Sequence, residues 1–179
     1  GAFLLAVNGN TPPPNSDLLP TVAWSLGQGN ITYAVEGGVY DAGSAIEWAR
    51  KIGLFSEMQE LAAFERPSAL SRGIVFVPAL SGLAAPFWDR TAAPLFIGMD
   101  HTTDPQDLVQ AILEGIAMLT AGLIDTASET VNLSDSISID GGLSQSSYFT
   151  QFLASASNRK IVVPAMHELT ALGLAEFCG

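Results

Sequence analysis

Hydrophobic residues fall in short strand-like runs through the first third of the chain and at helical spacing after it. Residues 3–7 (FLLAV), 18–26 (LLPTVAWSL) and 31–37 (ITYAVEG) read as strands. A Pro-rich loop, Thr11-Pro12-Pro13-Pro14-Asn15, separates the first two, and a Gly27-Gln28-Gly29-Asn30 turn separates the second from the third. The pattern predicts a three-strand meander. The period then changes. Ala42, Ala45, Ile46, Ala49 and Ile52 mark a helix, with Asp41 placed to cap its start and Gly53 to end it. Residues 56–64 read as a second, short helix. Residues 73–80 (GIVFVPAL) read as a buried strand or extended segment limited by Pro78, and residues 95–99 as another short one.

The strongest helical signal opens at Asp104, a capping residue, with Pro105 in the first turn. Leu108, Ala111, Ile112, Gly115, Leu119 and Leu123 make its apolar face. Residues 136–142 (SISIDGG) predict a strand running into two glycines. Ser144 is placed to cap a helix whose face is Tyr148, Phe152, Leu153 and Ala156. Residues 160–164 give a further strand and residues 169–177 a last helix. Three meander strands followed by alternating helices and strands predict an α/β domain with a mixed sheet.

Composition bounds what such a domain can do. The chain has 179 residues, of which 48% are hydrophobic and 14% charged, which suits one domain with a real core. Seven Lys and Arg face 18 Asp and Glu, for a net charge of −11. A phosphate-backbone binder needs clustered basic residues, so nucleic acid is excluded as a partner, and an anionic membrane surface with it. Apolar runs fall far short of the ~20 residues of a membrane span. The single cysteine, Cys178, rules out an internal disulfide framework and fits a reducing, cytoplasmic setting. The start has no basic signal-peptide region, and it enters a strand without an initiator Met. The last helical pattern stops at Gly179. Residues 1–179 are therefore expected to be one domain of a longer protein, trimmed at both ends.

Several chemistries lack their residues. There is no P-loop sequence and no Gly-x-Ser-x-Gly elbow. Gly27-Gln28-Gly29 precedes a strand and reads as a hairpin turn. His101 and His167 stand alone, and Asn30 and Asn132 sit in glycosylation sequons with no secretory signal beside them. The positive signal is Asp140-Gly141-Gly142. A strand ending in two glycines before a helix lets backbone approach a ligand, and the helix start offers N–H groups to an anion such as a nucleotide phosphate. The same residues also serve a plain turn, with Asp140 bonding its own backbone.

The surrounding segments resemble the C-terminal domain of the FGGY carbohydrate kinases. Gly1-Ala2-Phe3-Leu4 is similar to the tail of the family's Gly-Thr-Gly-x-Phe hairpin. Tyr33-Ala34-Val35-Glu36-Gly37 with Ala42-Gly43-Ser44-Ala45-Ile46-Glu47-Trp48 resembles a second motif. Val77-Pro78-Ala79, Gly82-Leu83 and Ala85-Pro86-Phe87-Trp88-Asp89 resemble a third, and Leu113-Glu114-Gly115-Ile116-Ala117 a fourth. Asp140-Gly141-Gly142 and Glu168-x-Thr170-Ala171-Leu172-Gly173 complete the set in the family's order.

The resemblance implies a ribonuclease-H-like fold of the actin and hexokinase superfamily. It implies the ATP-binding lobe of a kinase that phosphorylates a primary hydroxyl of a polyol or sugar, glycerol first among them. Gly141, Gly142 and Ser146 are then expected against the nucleotide, and Gly43 and Glu47 on its other side. Phe3 is expected against the substrate carbons, or else as a core residue. The catalytic Asp and most ligands of Mg²⁺ are expected in sequence before this chain. No residue here is assigned as base or metal ligand, and Glu114 and Glu168 are read as structural or lobe-interface residues. Four departures from the pattern, Glu47 for Gln, Ser146 for Asn, Ala84 for Gly and Ala93-Pro94 for Arg-Gly, leave a pentulose or another polyol open as substrate. A non-catalytic actin-like interaction module is the third reading. Homo-oligomer formation is left open.

Overall fold

The computed structural model describes residues 1–27 and 29–165, with Gly173 and Ala175. The last helical pattern, the motif at residues 168–172, His167 and Cys178 lie outside the described residues.

β1 (Ala2–Gly9), β2 (Leu19–Ser25) and β3 (Ile31–Val39) lie where the hydrophobic runs place them. They form an antiparallel sheet in the order β1-β3-β2, so β3, not β2, is the middle strand of the expected meander. The Pro-rich loop explains this. Three prolines hold an extended path and give no N–H to a ladder. At ~3.1 Å per residue the loop reaches roughly 28 Å, about the length of β1. It carries the chain back beside its own start. β1 and β2 then run the same way, and β3 fits between them antiparallel to both.

One face of this sheet makes the core. Ala6, Val35 and Val39 point inward, and Leu18 joins them. They meet α2 (Pro105–Thr130), whose Val109, Ile112, Leu113, Ile116, Leu123 and Ile124 are essentially solvent-free. Its start is the expected one. The Asp104 carboxylate accepts the Asp107 N–H at 3.0 Å, and Asp107 returns the bond at 3.1 Å. By length and composition α2 could cross a membrane, but 67% of the apolar window is buried inside the domain, as in a core helix. Gly115 lets α2 lie on β4 (Val75–Val77), because a Cβ there would run into the Phe76 carbonyl. β4 pairs with β5 (Leu95–Ile97).

α1 (Gly43–Lys51) packs on α2 from one side and α3 (Ser147–Ser157) from another. α3 connects β6 (Ser136–Ser138) to β7 (Lys160–Val162), which pair in parallel as a βαβ unit. The antiparallel and parallel strands expected of a mixed architecture are both present, hydrogen-bonded as separate sheets among the described residues.

Three local details differ from the sequence pattern. Residues 56–64 make only one 3-10 turn, Met58–Leu61. Ser144 lies inside another 3-10 turn, Gly142–Gln145, and its hydroxyl donates to the Gly141 carbonyl; the cap of α3 is Ser146, which accepts the Phe149 N–H. Asp41 does not cap α1. It is buried and accepts from Ser44 Oγ, Ser81 N and Ser81 Oγ, pinning the start of α1 to the loop after β4.

Candidate nucleotide site

The Asp140-Gly141-Gly142 turn sits just beyond β6, on the surface. Asp140 accepts the Gly141 N–H at 2.7 Å, so its side chain does fix its own turn. Gly141 has φ +91°, a conformation that favours glycine. Gly142 has no such need. Its φ is ordinary, and a Cβ built on it would meet no atom within 4 Å. Nothing internal to the described protein requires glycine there. Gly43, the first residue of α1, shows the same openness, as does Gly122 on α2. Gly37 and Gly115 contrast with these, since packing forbids a side chain at both.

Glu47 lies one turn after Gly43, exposed on the same side of α1. Its carboxylate takes a 2.6 Å ion pair from Arg50, with both side chains more than half exposed. Arg50 thus partly offsets the negative charge that Glu47 would present to a phosphate.

Ser146 stands differently. It is 6% exposed, and its hydroxyl works in both directions, accepting from Phe149 N at 3.1 Å and donating to the Leu61 carbonyl at 2.5 Å. Ser147 Oγ and Tyr148 N both donate to the Ala62 carbonyl. The first turn of α3 is therefore stitched to residues 61–62, downstream of α1. The 3-10 turn after the glycines and these bonds occupy N–H groups that a helix starting at Ser144 would have left open.

Phe3 is 83% exposed, which removes it from the core. It pairs across the sheet with Gly38, and its ring lies over that glycine. The described residues thus place Gly141 and Gly142 together at one turn, Gly43 and Glu47 together on one helix, and Phe3 apart on β1. An apolar groove by Phe76 and Met118 and a polar cleft by Arg66 and Asp104 include none of them.

A buried polar network ties the framework behind these positions. Asp107 takes ion pairs from Arg66 at 2.5 Å and Arg72 at 2.7 Å. Arg72 also donates to Gln110, which donates to the Tyr148 hydroxyl at 2.8 Å. Tyr148 donates to Glu114 at 2.5 Å, and Glu114 accepts the N–H groups of Ala69 and Leu70. Burial and the Glu114 carboxylate push the Tyr148 hydroxyl well above the usual tyrosine range. Glu114 is structural, as expected. The sequence signal for the rest was available: Asp107, Gln110 and Glu114 form a polar stripe at helical spacing among the apolar residues of the first half of α2.

Asp89 is also accounted for. It accepts from Thr91 Oγ1, Thr91 N and Ala92 N, and these bonds hold its carboxyl below the usual range.

The antiparallel β1-β3-β2 sheet, the long core helix and the βαβ unit with its diglycine turn define a ribonuclease-H-like α/β domain of the actin and hexokinase type. Residues 2–179 match the FGGY family of carbohydrate kinases, C-terminal domain, and the chain belongs to that family. It is 39% identical over 183 residues to a glycerol kinase of Thermococcus gammatolerans, a match covering 100% of this chain and 36% of that protein. Plasmodium falciparum glycerol kinase, solved with ADP, superposes with a TM-score of 0.84 at 30% identity, covering 97% of this chain and 35% of the other. A xylulose kinase from Lactobacillus acidophilus gives 0.65 at 28% identity, covering 82% and 31%. The chain spans about a third of the length of these relatives.

Proposed function

We propose that this chain is the nucleotide-binding lobe of an ATP-dependent kinase that phosphorylates glycerol. Residues 1–179 form one domain of a longer cytoplasmic protein, and the other lobe brings the polyol pocket, the base and most of the Mg²⁺ ligands. One observation carries the reading. Neither Gly43 nor Gly142, the positions that the resemblance to the family sets against nucleotide, has a conformational or packing reason of its own to be glycine. Open backbone at such points suits close approach of a ligand.

The residues present fit a nucleotide held mainly by backbone. Gly141 and Gly142 would lie along it at the end of β6, and Gly43 and Glu47 along its other side. Ser146 would hold the turn from beneath, since its hydroxyl is already engaged. Phe3 would offer an apolar face to the substrate carbons. Bound Mg²⁺ would spread the charge of the transferring phosphoryl group. No group of three or more His, Cys, Asp or Glu gathers among the described residues, and none is assigned to the metal. Lobe closure would exclude water from the transfer.

The test uses the full-length polypeptide. Glycerol should give the highest kcat/KM in a panel of polyols, pentuloses and hexonates. Gly142→Val should abolish measurable ATP binding while the far-UV spectrum holds. Unchanged ATP affinity would remove Gly142 from the site. A pentulose preference would replace glycerol, and no ATP binding by the wild type would favour the interaction-module reading.

A further inference from the structure

The face of the β1-β3-β2 sheet turned away from α2 is apolar, and its large side chains stand exposed among the described residues. The register places Phe3, Leu5 and Val7 of β1 on it, with Leu19 and Trp24 of β2. All five are large, and each is 41% to 83% exposed. At strand spacings of about 4.8 Å and rises of about 3.4 Å per residue the face covers roughly 350 Å², in the range where an exposed apolar patch marks a contact surface. At its centre stands Glu36, cross-strand neighbour of both Leu5 and Leu19. Glu36 is partly buried by them and has no hydrogen-bond or ion-pair partner among the described residues.

We infer that this face docks an apolar surface centred on a Lys or Arg that pairs with Glu36, carried by the part of the polypeptide outside these 179 residues. The inference rests on the reading of the chain as one lobe of a longer protein. A carboxylate inside an apolar ring selects its partner by charge, because covering it with apolar surface alone would strand it without a counter-charge. A second copy of this chain fits poorly. The first Lys or Arg in the sequence is Arg50, beyond all three strands, so the face has no cation of its own. A two-fold pairing through the middle strand would set Glu36 against Glu36. The relatives provide the length. The matched region is 36% of the Thermococcus gammatolerans protein, leaving a further lobe's worth of chain. Phe3, at one end of the face and the most exposed, would sit at the rim of the contact, where the substrate cleft between the lobes opens.

Hydroxyl-radical footprinting of the full-length protein, with its mass followed by light scattering, tests this without using activity. Leu5, Leu19 and Trp24 should be labelled about tenfold more slowly than their exposure in this lobe implies, at monomer concentration. Labelling at exposed rates would overturn the proposal. So would protection appearing only when the protein dimerises, which would assign the face to a second copy. Glu36→Lys should raise Trp24 labelling severalfold, with Glu36→Gln causing a smaller rise. Equal labelling in both variants and wild type would remove the basic partner. If Glu36→Lys does not fold, Glu36→Gln and the wild-type footprint still decide. A protein that phosphorylates glycerol while this face labels freely would sink the docking inference alone.

Discussion

Gly43→Ala should make the protein more stable and a worse nucleotide binder at once. Gly43 starts α1 with an ordinary φ, and a Cβ there meets nothing within 4 Å. The substitution mainly removes freedom from the unfolded chain, a gain of about 0.4–1 kcal/mol. In a domain of this size that raises Tm by roughly 1–4 °C. If nucleotide must lie against that backbone, the added methyl costs about 1–3 kcal/mol of binding, as overpacking does. Taking a ~30-fold loss, ADP at about 100 times the wild-type Kd would stabilise the wild type by ~2.7 kcal/mol and the variant by only ~0.9 kcal/mol. Thermal unfolding of full-length protein with and without ADP reads both effects in one series. An ADP-induced shift equal to the wild type's would refute the assignment of Gly43. A drop in stability without ADP would refute the claim that the site is empty of internal contacts.

Glu47→Gln should leave Tm nearly unchanged, because its pair with Arg50 is exposed. Calorimetric ATP affinity should hold or rise if the carboxylate faces phosphate, and a clear loss would point to a ribose contact. Glu114→Gln replaces a carboxylate that serves three donors with an amide whose NH₂ must oppose one of them. It should cost roughly 3 kcal/mol, or about 6–12 °C in Tm, and a shift under about 2 °C would deny the network its role. The raised Tyr148 pKa means the folded state prefers the protonated hydroxyl. Its contribution is complete below the unfolded value of about 10 and is lost as pH rises above it. Tyr148→Phe should lower Tm at pH 7 and show a smaller further loss between pH 9.5 and 11 than the wild type, measured by circular dichroism.

Local signals found the strands, the helix at Asp104-Pro105 and the diglycine turn, because each is written in neighbouring residues. What they missed depends on partners far along the chain. Asp107 is the third residue after the cap at Asp104 and bonds back to it, but the same carboxylate also holds Arg66 and Arg72, 41 and 35 positions away. Asp41 has the spacing of a cap, yet Ser81 gives it better donors. Ser144 and Ser146 are equal as capping residues by type, and the choice falls to Ser146 because its hydroxyl can also reach the Leu61 carbonyl. The strand order turned on how far an extended Pro-rich loop reaches, which its composition alone does not show. The candidate site was legible as residue identities, while the openness around Gly43 and Gly142 could be seen only in three dimensions.

That openness bears on how so acidic a chain could hold a triphosphate. Five of its seven basic residues are arginines, and every one is engaged. Arg50 pairs with Glu47, Arg66 and Arg72 with Asp107, Arg90 lies over the Tyr40 ring, and Arg159 donates to the Ser134 carbonyl. Lys160 begins β7 opposite Ser136, at the far end of the parallel pair from the diglycine turn, and Lys51 ends α1. None of these side chains bonds to Gly141 or Gly142 among the described residues. On the proposed reading, attraction for phosphate on this side would come from backbone N–H groups, whose partial charges need no desolvated ammonium and act only at short range. Short range is what a side chain would deny, so if nucleotide binds here as proposed, Gly43 and Gly142 are the positions where a single methyl group would cost it most.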